Sequence, residues 1–197
     1  MSVLLVAPHR LGRVITTADS RVLAERYLAG LPRRWRHVQG VGYQAQQVAE
    51  ALRLADGALV AAAWLHDIGY GPAVTDTGFH PLDGARFLRR IGAGDRLARL
   101  VAHHSCAVYE ARVRGLEQDL LAEFEPERSV TYDALVFCDM TTGPDGEETS
   151  FEDRVREVYE RYGEGDVARA LRMAEPCLKA AVDRFSQAMK ASDRPAR

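Results

Sequence analysis

Apolar positions along this 197-residue chain recur at intervals of three and four and almost never alternate. Val41, Ala45, Val48 and Leu52 form one such stripe, and Leu82, Ala85, Leu88 and Ile91 a second. Further stripes are Leu97, Leu100, Val101 and His104, then Phe151, Val155, Val158, Tyr159 and Tyr162, then Leu178, Ala181, Val182, Phe185 and Met189. This is the period of helices that bury one face. One stretch has no polar face at all. Ala58 to Leu65 would be apolar all round as a helix and belongs in a core, yet it runs directly into His66-Asp67 before Gly69.

Punctuation supplies the boundaries. Asp19 or Ser20 caps a helix reaching about Ala29, with Val22, Leu23, Tyr27 and Leu28 inward. Pro32 suits a first helical position, as does Pro81 behind His80. Asp56 and Asp95 are read as caps, and Ser129 or Thr131 as the cap of a buried helix, Tyr132 to Met140. Ser150 caps another, and Leu116 to Phe124 holds a short one. Residues 70–79 and 141–146 are rich in Gly, Pro, Thr and Asp and read as loops. Gly69 is read as ending its helix, and Pro176 as breaking or kinking the last one. Residues 1–18 carry no clear pattern, and the polar tail from Ser192 is expected to fray. The expectation is an all-α bundle of roughly eight helices, as a single domain over residues 19–191.

Net charge is −2, so the chain as a whole has no drive toward nucleic acid or an anionic membrane. No window approaches a ~20-residue apolar span, and Met1 to Pro8 lacks the basic flank of a signal peptide. The three cysteines, Cys106, Cys138 and Cys177, form no Cys-x-x-Cys pair and are read as buried thiols. A cytoplasmic protein is expected.

The chemistry lies in the histidines. His37, His66, His80, His103 and His104 sit where helices end or face inward, whereas His9 is read as a surface residue. Asp67 and Asp139 lie at the ends of the two most apolar helices. Buried carboxylates need a partner, because an unpaired charge in a core costs several kcal/mol or more. Imidazole and carboxylate together suit a divalent transition metal. Seven candidates, His37, His66, Asp67, His80, His103, His104 and Asp139, exceed the four ligands of a closed zinc site. Two ions, or one ion with extra catalytic groups, are implied, and a two-oxygen carboxylate such as Asp67 can bridge a pair. Arg33, Arg34 and Tyr70 are candidates for holding a small anionic substrate.

The order His37, then His66-Asp67, then Asp139, with His80 and His103-His104 between, resembles the metal-dependent HD-domain superfamily and its dinuclear members. The resemblance covers about residues 30 to 142. It implies an all-α fold and one ion on His37, His66, Asp67 and Asp139. A second ion would sit on His80 and His103, with Asp67 bridging and His104 as ligand or neighbour. It also implies iron or manganese ahead of Zn, Co, Ni or Mg. The activity expected is hydrolysis of a phosphate monoester or nucleotide-like substrate, with Asp67 and His104 in catalytic roles. Similar ligand sets in that superfamily also serve mixed-valent diiron oxygenases, and a non-catalytic metal-binding regulatory module is the third reading. Tyr70 stands where the superfamily's cyclic-dinucleotide phosphodiesterases often carry Lys. Ser105-Cys106-Ala107 replaces their Gly-Tyr-Pro after the paired histidines, which argues against that substrate.

Overall fold

The structure is a computed structural model and describes residues 15–54 and 57–192. The expectations for His9, for Met1 to Pro8, for the Asp56 cap and for the tail beyond Ser192 lie outside those residues. Among the described residues there are ten α-helices and no strand. In order they are α1 (Thr17–Leu28), α2 (Pro32–Ala51), α3 (Ala58–Leu65), α4 (His80–Arg90), α5 (Asp95–His103), α6 (Val108–Val113), α7 (Glu117–Glu123), α8 (Val130–Met140), α9 (Phe151–Tyr162) and α10 (Asp166–Ser192). Short 3₁₀ turns, Ile68–Tyr70 and His104–Cys106, follow α3 and α5.

The apolar helix is the hub. Every residue of α3 from Leu59 to Leu65 is buried, and α1, α2, α5 and α8 all pack against it. A helix enclosed on all sides has no solvent face to make polar, which accounts for its composition. A second apolar cluster, containing Val136, Met140, Phe151, Val155, Leu171 and Leu178, joins α8 to α9 and α10. No helix among the described residues is long and apolar enough to cross a membrane.

Several local expectations are corrected. The first helix starts earlier, at Thr17. Thr16 caps it in a reciprocal box with Asp19, so Asp19 closes the cap rather than forming it. Val22 points outward and is 66% exposed. Gly94 rather than Asp95 occupies the cap position before α5. The short helix α6 went unread, because six residues are too few to display a period. Pro176 lies inside α10 without ending it. Ser129 and Ser150 cap α8 and α9 as expected, each accepting the amide three residues on. Cys106 and Cys177 form a disulfide joining the turn after α5 to α10, and Cys138 alone remains a free, buried thiol. Sequence spacing could not pair them, since the partners lie 71 residues apart.

Candidate metal centre

His37 projects from the second turn of α2. His66 and Asp67 leave the end of α3, His80 opens α4, His104 follows α5 and Asp139 sits in the last turn of α8. Five helices thus deliver six side chains to one point. These form two sets whose ligand atoms lie within 4.8 Å of one another: His37, His66 and Asp139, and Asp67, His80 and His104. Asp67 joins them. Its Oδ2 lies 3.3 Å from His66 Nε2 and 4.0 Å from His37 Nε2, and its Oδ1 lies 3.3 Å from His80 Nε2 and 3.9 Å from His104 Nε2. One carboxylate therefore presents an oxygen to each set.

Backbone carbonyls hold the rings. Nδ1 of His37 is 3.0 Å from Gly143 O, Nδ1 of His66 is 2.8 Å from Ala63 O, and Nδ1 of His104 is 2.6 Å from Val101 O. A carbonyl only accepts, so each of these Nδ1 atoms donates and each Nε2 is left facing inward, that of His37 lying 3.0 Å from Asp139 Oδ1, the orientation of a metal-binding histidine. His66 Nε2 is buried without a hydrogen-bond partner, and His80 Nε2 faces His104 Nε2 at 3.2 Å. Ring nitrogens and carboxylate oxygens crowded together, with one ring nitrogen orphaned, form a donor set that a divalent cation would satisfy.

The charges respond as such a site would. Burial works against ionised Asp67, but Arg34, His66 and His80 outweigh it and hold the carboxyl well below the usual range. Asp139 is likewise held low, with His37 and His66 overcoming its burial. His66 would be lowered by burial, yet Asp67 and then Asp139 push it up to about 9. His80 and His104 go the other way, lowered chiefly by burial, which outweighs the nearby Asp67 carboxylate, with neighbouring basic side chains adding to it, His104 and Arg34 for the first and His66 for the second.

The close approaches depend on glycine. A Cβ on Gly69 would lie 2.0 Å from the carbonyl oxygen of His80. Gly69 is therefore a contact surface for the start of α4, not a left-handed helix terminator. A Cβ on Gly40 would fall 2.5 Å from Gly146 O. That contact lets the loop after α8 lie on α2, where Gly143 O reaches His37. The loop before His80 is tied by buried Asp83, which accepts the amides of Asp76, Thr77 and Gly78 at 3.0 to 3.1 Å.

His103 departs from expectation. It remains in α5, with Nε2 2.7 Å from Phe124 O, and belongs to neither ligand set. The helix stops there and His104 adopts an extended backbone (φ −51°, ψ 147°), which turns its ring toward the site instead. Adjacent histidines on one helix would diverge by about 100°; the break decides which of them enters. His104 has Nδ1 committed to Val101 O and Nε2 in the second ligand set. Ser105, which the sequence reading missed, donates its hydroxyl to Asp139 Oδ2 from a left-handed backbone (φ 50°). A Ser after two histidines carries no signal for this.

Beside the ligands lies a cavity of about 130 Å³, lined among others by Arg34, Tyr70, Glu110, Arg154, Arg161 and Tyr162. Arg34 Nη1 is 2.5 Å from Asp67 Oδ2, and its guanidinium lies 4.1 Å from the Tyr70 ring centroid. The Tyr70 ring stacks on His80 at 4.0 Å. Arg33 is half-exposed and pairs with Glu157, outside this cavity. Arg112 and Arg114 pair with Glu117 and Glu110.

Comparison with known proteins agrees with this arrangement. Residues 34–155 match the family described as HD domain, more than half of the chain and a span containing all six clustered ligands. No curated protein and no solved structure matches the chain. The ligand order, the all-helical fold and the extent of the match together place this chain in the HD-domain family.

Proposed function

We propose that the chain is a dinuclear metal-dependent phosphohydrolase acting on a small phosphate monoester. The observation that carries the reading is Asp67, one oxygen of which faces the set of His37, His66 and Asp139 and the other the pair His80 and His104. His37, His66 and Asp139 would hold one divalent ion, and His80 and His104 the other, with Asp67 shared. Bound ions would supply Lewis-acid polarisation of a phosphoryl oxygen and acidify a water to a nucleophile near neutral pH. The carbonyls of Gly143, Ala63 and Val101 keep the rings turned inward. Arg34, always charged, stands at the rim of the ligand sets, positioned to attract the phosphoryl oxygens. Tyr70 steadies both His80 and Arg34 by stacking.

The test supplies the purified chain with Mn²⁺ or Fe²⁺ and follows phosphate release from a panel of monoesters. Two metals per chain and release with Mn²⁺ are expected. Full metal loading without release from any substrate sinks the hydrolase reading, and substrate-dependent O₂ uptake confined to the iron form would establish an oxygenase instead. Asp67→Ala should empty both positions by elemental analysis; retention of two ions would overturn the shared-carboxylate assignment.

A further inference from the structure

Glu157 on α9 is the shared partner of three arginines. Its Oε1 accepts from Arg33 Nη2 at 3.2 Å and from Arg161 Nε at 2.8 Å, and its Oε2 accepts from Arg154 Nη1 at 2.5 Å. One carboxylate cannot neutralise three guanidinium groups, so the cluster holds an excess of positive charge. Arg154 is 7% exposed, and its Nε is buried without any hydrogen-bond partner. Leaving a charged donor unsatisfied in the interior is costly. Arg154 and Arg161 line the cavity beside the metal ligands. With Arg33, Arg34 and Tyr70 they also line an adjoining cavity of about 250 Å³. The guanidinium excess therefore borders the entrance to the ligand sets.

We propose that this cluster is a second anion subsite, so that the substrate is a short-chain bis-anion. One anionic group meets the metal ligands and a carboxylate or second phosphate meets Arg33, Arg154 and Arg161. This rests on the phosphohydrolase reading for the identity of the first group. Four guanidinium groups around two adjoining cavities favour a doubly charged compound over a singly charged one. Arginine is suited to the task, because its planar fork pairs a carboxylate or phosphate through two donors.

The test uses two non-hydrolysable probes of similar length, 3-phosphonopropionate and propylphosphonate, titrated calorimetrically into the Mn²⁺-loaded protein. Preference for the carboxylated probe by tenfold or more is expected. Arg161→Gln and Arg33→Gln should each shrink that preference several-fold while leaving the weaker propylphosphonate isotherm in place. Arg154→Gln should abolish it, and the two more exposed variants keep the question answerable if that buried variant does not fold. Equal affinity for the two probes, or a preference unchanged in Arg161→Gln and Arg33→Gln, overturns the proposal. A clear preference in a protein that releases no phosphate from any bis-anionic monoester leaves the subsite standing and removes the hydrolase reading.

Discussion

At the scale of single residues, the site is decided by what each ring nitrogen already holds. His103 spends Nε2 on Phe124 O, whereas His104 spends Nδ1 on Val101 O and keeps Nε2 for the site. His104→Gln should therefore lower bound metal from two ions per chain toward one, while His103→Gln leaves two; elemental analysis distinguishes them, and the reverse pattern refutes the assignment. Protonation follows the same logic. His66 is raised from 6.5 to about 9. A folded pKa above the unfolded value means that the proton stabilises the metal-free chain fully below pH 6.5, and that this contribution fades as pH rises through 9. A metal ion competes for that nitrogen, so its affinity should rise by up to about tenfold per pH unit between 6.5 and 9. Asp67 and Asp139 are ionised, and His80 and His104 neutral, throughout that window. Competition titrations with a chelating dye check this, and a flat profile would contradict it.

At the scale of elements, the site is an arrangement of helix ends. His66 and Asp67 close α3, His80 opens α4, His104 follows α5 and Asp139 lies in the last turn of α8. Ends rather than middles are used because the chain can change direction there and aim a ring away from the helix surface. The loop before α4 shows how closely this is held. Asp83 receives three backbone amides and the Thr77 hydroxyl, and so fixes the approach of His80. Hydrogen bonds to a charged acceptor contribute about 1.5–3 kcal/mol each, not additively. Asp83→Ala should therefore destabilise the fold by about 2–4 kcal/mol and weaken metal binding. Urea denaturation with metal analysis measures both; an unchanged midpoint would show the loop to be held by other means. Gly69→Ala tests the other side of the contact. The added methyl would displace His80 backbone, costing about 1–3 kcal/mol as overpacking, and the second ion should be lost before the first.

At the scale of the molecule, two buried carboxylates and four buried or nearly buried imidazoles meet at one point inside the bundle. Metal binding should stabilise the whole chain, by about 2.7 kcal/mol at a hundredfold excess over the dissociation constant. Thermal melts with chelator and after re-addition of Mn²⁺ read this directly, and coincident melting curves would argue against any ion in the site. The periodic stripes of α2, α4, α5 and α9 were legible in the chain because burial on one helical face is a local property of residues three and four apart. So was the enclosed position of α3, which only a core could accept. The ordered set of His37, His66-Asp67, His80, His103-His104 and Asp139 pointed to a metal for an equally local reason: buried charge demands a partner. What the sequence could not contain was any relation that depends on where the chain turns between elements. That His104 and not His103 faces the ligands follows from one extended residue after α5. That Ser105 reaches Asp139, that Cys106 pairs with Cys177, and that α9 brings arginines to the cavity all depend on packing between segments far apart in the chain. The sequence by itself determined most of the helices and the pool of candidate donors. Tertiary structure decided which donors meet, because a side chain's direction is set by backbone geometry and by neighbours that no local pattern encodes.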